Sequence, residues 1–200
     1  MIFKKTVVAV LATLALGAGS AQAYSFSLGG LPTGQMLNPG SVTRTFSSAV
    51  ADSAAELDFV LNGYRSLDGN NAYRDLFTLT INGNQIGTGS FNLGGGGTSN
   101  WTGSGTYVNS NPGTNVTWAG GTTTFSDVTF SLLAGVNTFV FGYSAPGVLN
   151  FGGQGLRDEA WGIQSASVTA VPEPETYAML LAGLGLMGTI ARRRNKINAV

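Results

Sequence analysis

The sequence DLFTLTINGNQIGTGSF, residues 75–91, shows most directly how this chain folds. Phe77, Leu79 and Ile81 alternate with polar residues, which is typical of a strand that buries one face. Asn82-Gly83 follows, a dipeptide that tolerates positive φ at both central positions of a type I′ turn. We therefore predict a strand over Asp75–Asn82 that forms a hairpin with Gln85–Phe91.

The same alternation recurs on both sides of this hairpin. Ala55, Leu57, Phe59 and Leu61 mark one buried face, and no stretch of this region has a helical period. Further strands are predicted over Ser41–Ser48, Thr122–Leu132, Val136–Tyr143 and Ala160–Ala170. About nine strands joined by tight turns, without crossover helices, predict an all-β fold, an antiparallel two-sheet sandwich of jelly-roll type over residues 24–170.

A glycine-rich, uncharged region lies in the middle of the chain. Gly94 to Gly121 contains nine glycines, so we expect a loop or a poorly specified hairpin there. Leu76 to Ser126 contains no charged residue. Exposed strand edges without charge can pair with other chains, so this stretch predicts self-association.

The composition argues against most catalytic and nucleic-acid functions. The chain has no histidine and no cysteine, which excludes Ser-His and Cys-His nucleophilic pairs and a histidine zinc site. Residues 24–171 carry eight acidic residues and four arginines, a net charge of −4 that is unsuited to nucleic acid. Glu56 and Asp58 offer a carboxylate pair to a polysaccharide hydrolase, but the alternative is a solvated strand face. We therefore expect that this protein is not an enzyme.

The N-terminus has the composition of a signal peptide. Lys4 and Lys5 precede an apolar run over residues 6–18, and Ala21-Gln22-Ala23 has the small-x-small pattern that signal peptidase cleaves. A transmembrane helix would need roughly 18 or more apolar residues. We therefore predict a signal peptide over residues 1–23, removed after Ala23.

The C-terminal sequence VPEPETYAMLLAGLGLMGTIARRRNK, residues 171–196, has three parts. Pro172-Glu173-Pro174 cannot continue a strand or enter a helix, which indicates an extended, accessible segment. Residues 177–191 are uncharged and mostly apolar, as in a short membrane helix. A basic tail, residues 192–196, follows and indicates the cytoplasmic side; it begins with Arg192, Arg193 and Arg194.

This order of Pro-Glu-Pro, short apolar helix and arginine cluster resembles the PEP-CTERM sorting signal of Gram-negative bacteria. The resemblance implies recognition by exosortase, a membrane transpeptidase-like cysteine protease. It also implies an inner-membrane intermediate, cleavage near the motif, and export to the cell surface or extracellular matrix. The alternative is a plain tail anchor that stays in the inner membrane.

Two polar clusters, LDGNNAYRD at residues 67–75 and GLRDEAWGI at residues 155–163, hold half of the acidic residues of the folded region. They are similar to segments in other PEP-CTERM ectodomains and in calcium-bearing jelly-roll binding modules. Calcium takes six to eight oxygen ligands. We therefore predict a calcium site built from Asp68, Asn70, Asp75, Asp158 and Glu159. The alternative is a set of surface ion pairs with neighbouring arginines, which are Arg65, Arg74 and Arg157.

Trp101, Tyr107 and Trp118 lie in the glycine-rich region. Flat aromatic side chains can stack on the apolar faces of sugars, although they can equally cap the end of a sandwich. The sequence thus indicates an exported, non-enzymatic surface or matrix protein associated with exopolysaccharide or biofilm. The alternatives are a calcium-dependent carbohydrate-binding module and, more remotely, a hydrolase.

Overall fold

We describe the protein from a computed structural model. It describes residues 23–147 apart from 112 and 114, residues 158–170, and positions 181, 183–185, 187 and 188. These residues form eleven strands. The strands are β1 Tyr24–Ser27, β2 Met36–Leu37, β3 Gly40–Ser48, β4 Asp52–Arg65, β5 Leu76–Ile81, β6 Asn84–Ser90, β7 Asn100–Trp101, β8 Thr106–Asn109, β9 Gly121–Leu132, β10 Gly135–Ser144 and β11 Glu159–Ala170.

The strands form two sheets. One has the order β1-β11-β4-β9-β8, with β2 also paired to β11, and the other has the order β3-β10-β5-β6-β7. Every recorded strand pair is antiparallel. The chain changes sheet between β2 and β3, β3 and β4, β4 and β5, β7 and β8, β9 and β10, and β10 and β11. This connectivity confirms the predicted antiparallel sandwich of jelly-roll type.

Aromatic and aliphatic side chains from both sheets fill the space between them. Phe59 on β4 stacks on Phe125 of β9 with ring centroids 4.1 Å apart. It also contacts Phe77 and Phe141 of the opposite sheet, at centroid distances of 5.8 and 5.6 Å. Ala55, Leu57, Phe59 and Leu61 are all buried, so the alternation predicted for β4 is confirmed.

The predicted β5–β6 hairpin is present. Asn82 and Gly83 both have positive φ, 52° and 80°, as the type I′ turn requires. The Asn82 side chain also accepts a hydrogen bond from the Thr138 backbone N–H (2.8 Å) and donates one to Asn137 Oδ1 (2.8 Å). The turn is therefore fixed to the neighbouring strand β10.

The structure corrects the prediction for the glycine-rich region. Gly94 to Gly96 are buried rather than exposed to solvent, and the region contributes the short strands β7 and β8. Strand β5 lies between β10 and β6 and is therefore not on a sheet edge. Within the uncharged stretch the edge strands are β7 and β8. The sequence also failed to predict β1 and β2.

The processing segments are largely outside the described residues. Three such segments lie outside the described residues. They are residues 1–22, with most of the predicted signal peptide, residues 171–180, with the Pro-Glu-Pro motif, and residues 189–200, with the basic tail. Described positions between 181 and 188 are helical. In the described part of the chain, no helix has the length and apolarity needed to cross a membrane. The membrane helix over residues 177–191 therefore stays a prediction.

Candidate functional site

An acidic pocket lies at one end of the sandwich, where the loop of residues 66–75 meets the start of β11 and the four consecutive glycines Gly94 to Gly97, which we call the glycine run. Its volume is about 470 Å³. The lining combines carboxylates with half-exposed aromatic rings, from Ser66, Asp68, Tyr73, Gly95, Val116, Trp118, Asp158 and Glu159.

Backbone pairing brings these segments together. The Leu67 carbonyl accepts hydrogen bonds from the N–H groups of Leu93 and Gly95, both at 3.0 Å. The Gly69 N–H donates to the Gly96 carbonyl at 2.8 Å. Glycine is required at position 95, because a Cβ there would lie 2.6 Å from Asp68 Cγ. The glycine run thus serves as a close-fitting wall behind the acidic loop.

Three carboxylates gather at the inner side of this pocket. Asp68, Asp75 and Glu159 each offer an oxygen, and these oxygens all lie within 4.8 Å of one another. The side chains are almost fully buried, with exposed fractions of 6, 0 and 2%. Charged groups are seldom buried this way unless something pairs with them. We call these residues the acid triad.

Asp75 is the best-satisfied member of the acid triad. Its Oδ1 accepts a hydrogen bond from Asn38 Nδ2 at 2.6 Å, and its Oδ2 accepts one from the Asp68 backbone N–H at 2.7 Å. Asn38 Nδ2 also donates to Glu159 Oε2 at 3.4 Å. Asn38 therefore connects two of the three carboxylates.

Burial raises the pKa values of all three groups. Burial raises the pKa of Asp75 to about 8; hydrogen bonds from Asp68 and Asn38 oppose the rise, and the neighbouring carboxylates add to it. The pKa of Glu159 rises to about 7 through burial and the charges of Asp158 and Asp68. The pKa of Asp68 rises to about 6, mainly through burial, with Asn71 opposing the rise. The same environment raises the pKa of Tyr143, through burial and the charge of Asp75.

In the described part of the chain, neither Arg65 nor Arg74 forms an ion pair with this cluster, and Arg157 lies outside the described residues. The structure brings three of the five predicted calcium ligands together. Asn70 is exposed, and its backbone N–H bonds to the Thr98 carbonyl at 2.7 Å. Asp158 lines the pocket and accepts a hydrogen bond from Ser66 Oγ, outside the triad. Calcium binding itself stays a prediction.

Only one of the three predicted sugar-stacking residues lines the pocket. Trp118 is 58% exposed at the rim. Trp101 instead packs against Phe125 at 5.1 Å, and its Nε1 donates to the Ser104 carbonyl. Tyr107 packs against Phe91 at 5.5 Å and donates to the Ser99 carbonyl. These two residues cap the core, so the predicted three-residue stacking surface does not form.

Trp118 is held at the rim by an unusual backbone. Its φ of 55° lies in the left-handed region, which is rare for a bulky residue. The N–H groups of Thr117 and Trp118 both donate to the Gly94 carbonyl, at 2.9 and 3.0 Å. Residues in such conformations concentrate at binding sites.

The hydrolase pair lies elsewhere. Asp58 is exposed on β4, and its Oδ1 accepts the Asp127 backbone N–H at 2.9 Å. Glu56 lies on the same face of β4, and neither residue lines the acidic pocket. The pair has the position of an ordinary solvated strand face.

Sequence reasoning missed Asn38 and Tyr73. Asn38 precedes a proline in a short polar turn, and Tyr73 lies in the predicted calcium cluster without being singled out. Tyr73 is 43% exposed and lines the pocket. An aromatic residue within a polar cluster was the available signal.

Comparison with known proteins identifies the tail. Residues 170–195 match the PEP-CTERM protein-sorting motif. The chain is thus an exported protein that carries an exosortase sorting signal, as the order of its C-terminal segments predicted. No curated protein matches the chain.

Three solved structures resemble the fold remotely. A CBM35 domain of Abf62 from Cellvibrio japonicus is 14% identical, with a TM-score of 0.33 over 76% of this chain and 99% of that one. The Xyl-CBM35 domain, in complex with a glucuronic acid containing disaccharide, is 15% identical, with a TM-score of 0.31 over 76% of this chain and 94% of that one. A protein of infectious bursal disease virus, Gx strain, is 11% identical, with a TM-score of 0.36 over 75% of this chain, which spans 32% of the viral protein.

Proposed function

We propose that this chain is a non-enzymatic surface protein, sorted by exosortase, whose acidic pocket binds a polysaccharide of the surrounding matrix or biofilm. The observation that carries the proposal is the pocket itself, which combines Trp118 and Tyr73 with the carboxylates of Asp68, Asp158 and Glu159. A sugar has apolar faces that stack on aromatic rings and hydroxyl groups that donate to carboxylates.

The direction of β11 supports an outward-facing site. The strand begins at Glu159, in the pocket, and ends at Ala170, where the sorting motif begins. Its 12 residues span roughly 36 Å at about 3.3 Å per residue. The pocket therefore lies at the end of the sandwich remote from Ala170, and we propose that a polymer outside the cell reaches it there.

The test is binding of the full-length protein to a glycan array and to the exopolysaccharide of the bacterium that produces it. Trp118→Ala should weaken binding about tenfold, which corresponds to ~1.4 kcal/mol of lost stacking. Leu133→Ala is the matched control, because Leu133 is 49% exposed in the turn after β9, away from the pocket. Equal affinity of all three proteins would contradict a role for the pocket.

The same preparations test the absence of catalysis. We expect no release of reducing ends from the bound polysaccharide. Turnover that Glu56→Gln abolishes would instead support the carboxylate hydrolase.

Calcium is a second candidate occupant of the acid triad, favoured by three carboxylate oxygens within 4.8 Å of one another. An ion that binds only the folded state stabilises it by about 2.7 kcal/mol at a hundred times its Kd. Thermal unfolding in calcium and in chelator should then differ, and magnesium should have a smaller effect. Asp68→Asn should remove the difference, and identical curves for the unmodified protein would exclude the ion.

A further inference from the structure

We propose that the sugar recognised by the acidic pocket carries a free primary amino group, bound as an ammonium ion by Asp68, Asp158 and Glu159. This inference rests on the proposed function and names its ligand class, a polysaccharide of amino sugars from which N-acetyl groups have been removed. Three features of the pocket support it: charge, free acceptors and aromatic rings.

The charge of the pocket selects a cation. Three carboxylates line it, and Asp75 lies directly behind them. No lysine or arginine is among the described lining residues. An acidic sugar brought here would meet like charges in a partly enclosed site, and such pairs repel.

Two nearly buried carboxylates keep acceptor atoms free. Asp68 Oδ1 accepts a hydrogen bond from Asn71 Nδ2 at 2.7 Å, while Oδ2 has no donor among the described residues. Glu159 accepts only the 3.4 Å bond from Asn38, at Oε2, so in the described part of the chain its Oε1 has no donor. Both side chains are more than nine-tenths buried and line the pocket. Because both side chains line the pocket, these oxygens are available to a donor that enters it.

A primary ammonium supplies the donors that are missing. It carries three N–H groups, enough to donate to the free oxygens of Asp68 and Glu159 and to one further acceptor, for which Asp158 lies in the same lining. Its hydrogen bonds to carboxylates are charge-assisted and therefore roughly twice as strong as neutral ones. Trp118 and Tyr73 then lie beside the cation and the sugar ring, where both stacking and cation–π attraction contribute.

Calcium fits the free atoms less well than ammonium. It needs six to eight oxygen ligands. Both oxygens of Asp75 already accept N–H hydrogen bonds, at 2.6 and 2.7 Å, and Asn70 lies outside the cluster. Calcium is therefore expected to compete with the amine for the outer carboxylates rather than to assist its binding.

The experiment compares two oligosaccharides that differ only in the amine. Full-length protein in mild detergent, with chelator present, is titrated with glucosamine oligomers and with N-acetylglucosamine oligomers of equal length. The pH is about 7, where the sugar amine and Glu159, whose pKa is about 7, are both partly charged, and binding of the ammonium favours the charged carboxylate. We expect the free amine to bind about tenfold or more tightly, since hydrogen bonds to charged groups contribute about 1.5–3 kcal/mol.

Two variants separate site binding from general attraction to a negatively charged protein. Glu159→Gln should remove most of the preference for the free amine, with thermal unfolding as the check that the variant is folded. Asp127→Asn is the matched control; it removes one charge from an exposed residue outside the pocket, at a φ of 59° that asparagine tolerates. It should leave the preference unchanged.

Each outcome has a distinct meaning. Equal affinity for the two oligomers, with both lost in Trp118→Ala, would overturn the amine inference and leave polysaccharide binding intact. No binding of any glycan would overturn the proposed function. Binding of a polyuronate that requires calcium would overturn the amine inference in favour of the ion.

Discussion

Replacing Glu159 by glutamine should stabilise the protein at alkaline pH. The pKa of Glu159 is raised from 4.5 to about 7, so the folded state holds a proton that the unfolded state releases between these values. Its contribution to stability is fully present below pH 4.5 and is lost as the pH rises through about 7. Glutamine keeps the size of the side chain and cannot lose the proton.

The magnitude follows from the pKa and the position of the group. At ~1.4 kcal/mol for each pH unit, a rise from 4.5 to about 7 sets an upper limit near 3 kcal/mol. The carboxylate borders an open pocket, where solvent screens part of this energy. We therefore expect Glu159→Gln to raise the free energy of unfolding by about 1–2 kcal/mol at pH 8, and Tm by ~3–8 °C.

The measurement is thermal unfolding of both proteins between pH 4 and 9, with chelator throughout. Near pH 4 the two Tm values should agree, and the difference should grow through pH 7 and then level off. Asp127→Asn, which removes an exposed charge, should follow the unmodified protein. A difference of constant size at all pH values would refute the argument, because it would show that the ionisation of Glu159 is not what destabilises the fold.

Three further predictions follow from the core, the sheet edge and the tail. Phe59→Ala should lower the free energy of unfolding by ~3–5 kcal/mol in denaturant titrations, because it removes a fully buried ring that contacts both sheets; a loss below 1 kcal/mol would mean that the sheets are not packed as described. If the protein self-associates at high concentration, Val108→Lys should suppress it in light scattering, because Val108 is 71% exposed on edge strand β8; persistent association would exclude this edge. Changing Pro172 and Pro174 to alanine should leave a longer precursor in the membrane, and intact mass spectrometry of surface material should find no species that retains the basic tail.

Alternation predicted the strands wherever apolar residues occupy the inner face without interruption. Strand β4 continues to Arg65, past the last apolar position of the alternation at Leu61, because the next inner position is Gly63, whose missing side chain leaves room for Leu93. Strands β1 and β2 have four and two residues, too few for a period to be recognised. They are fixed by pairing to β11, which is a long-range property.

The chemistry of the site was visible in the sequence, but its geometry was not. The acidic residues stood out by polarity, yet nothing local indicates that Asp75 is fully buried. Its partner Asn38 lies 37 positions away in the chain, and Asn38 also reaches Glu159, 121 positions away. Likewise, Trp101 and Trp118 have similar neighbours in sequence. Only packing against Phe125 distinguishes the capping residue from the exposed one.

The pairing of β1 with β11 determines when the domain can finish folding. Tyr24 pairs with Ala170, so the first strand of the sandwich waits for the last one, and β11 also covers the edge of β4. A chain that emerges N-terminus first on the far side of a membrane therefore exposes two unpaired strand edges until residue 170 has crossed, and such edges invite aggregation. The sorting segment begins where that vulnerable interval ends. A chain held at the membrane by its tail would pair β11 with β1 and β4 before it is released to meet other copies of itself.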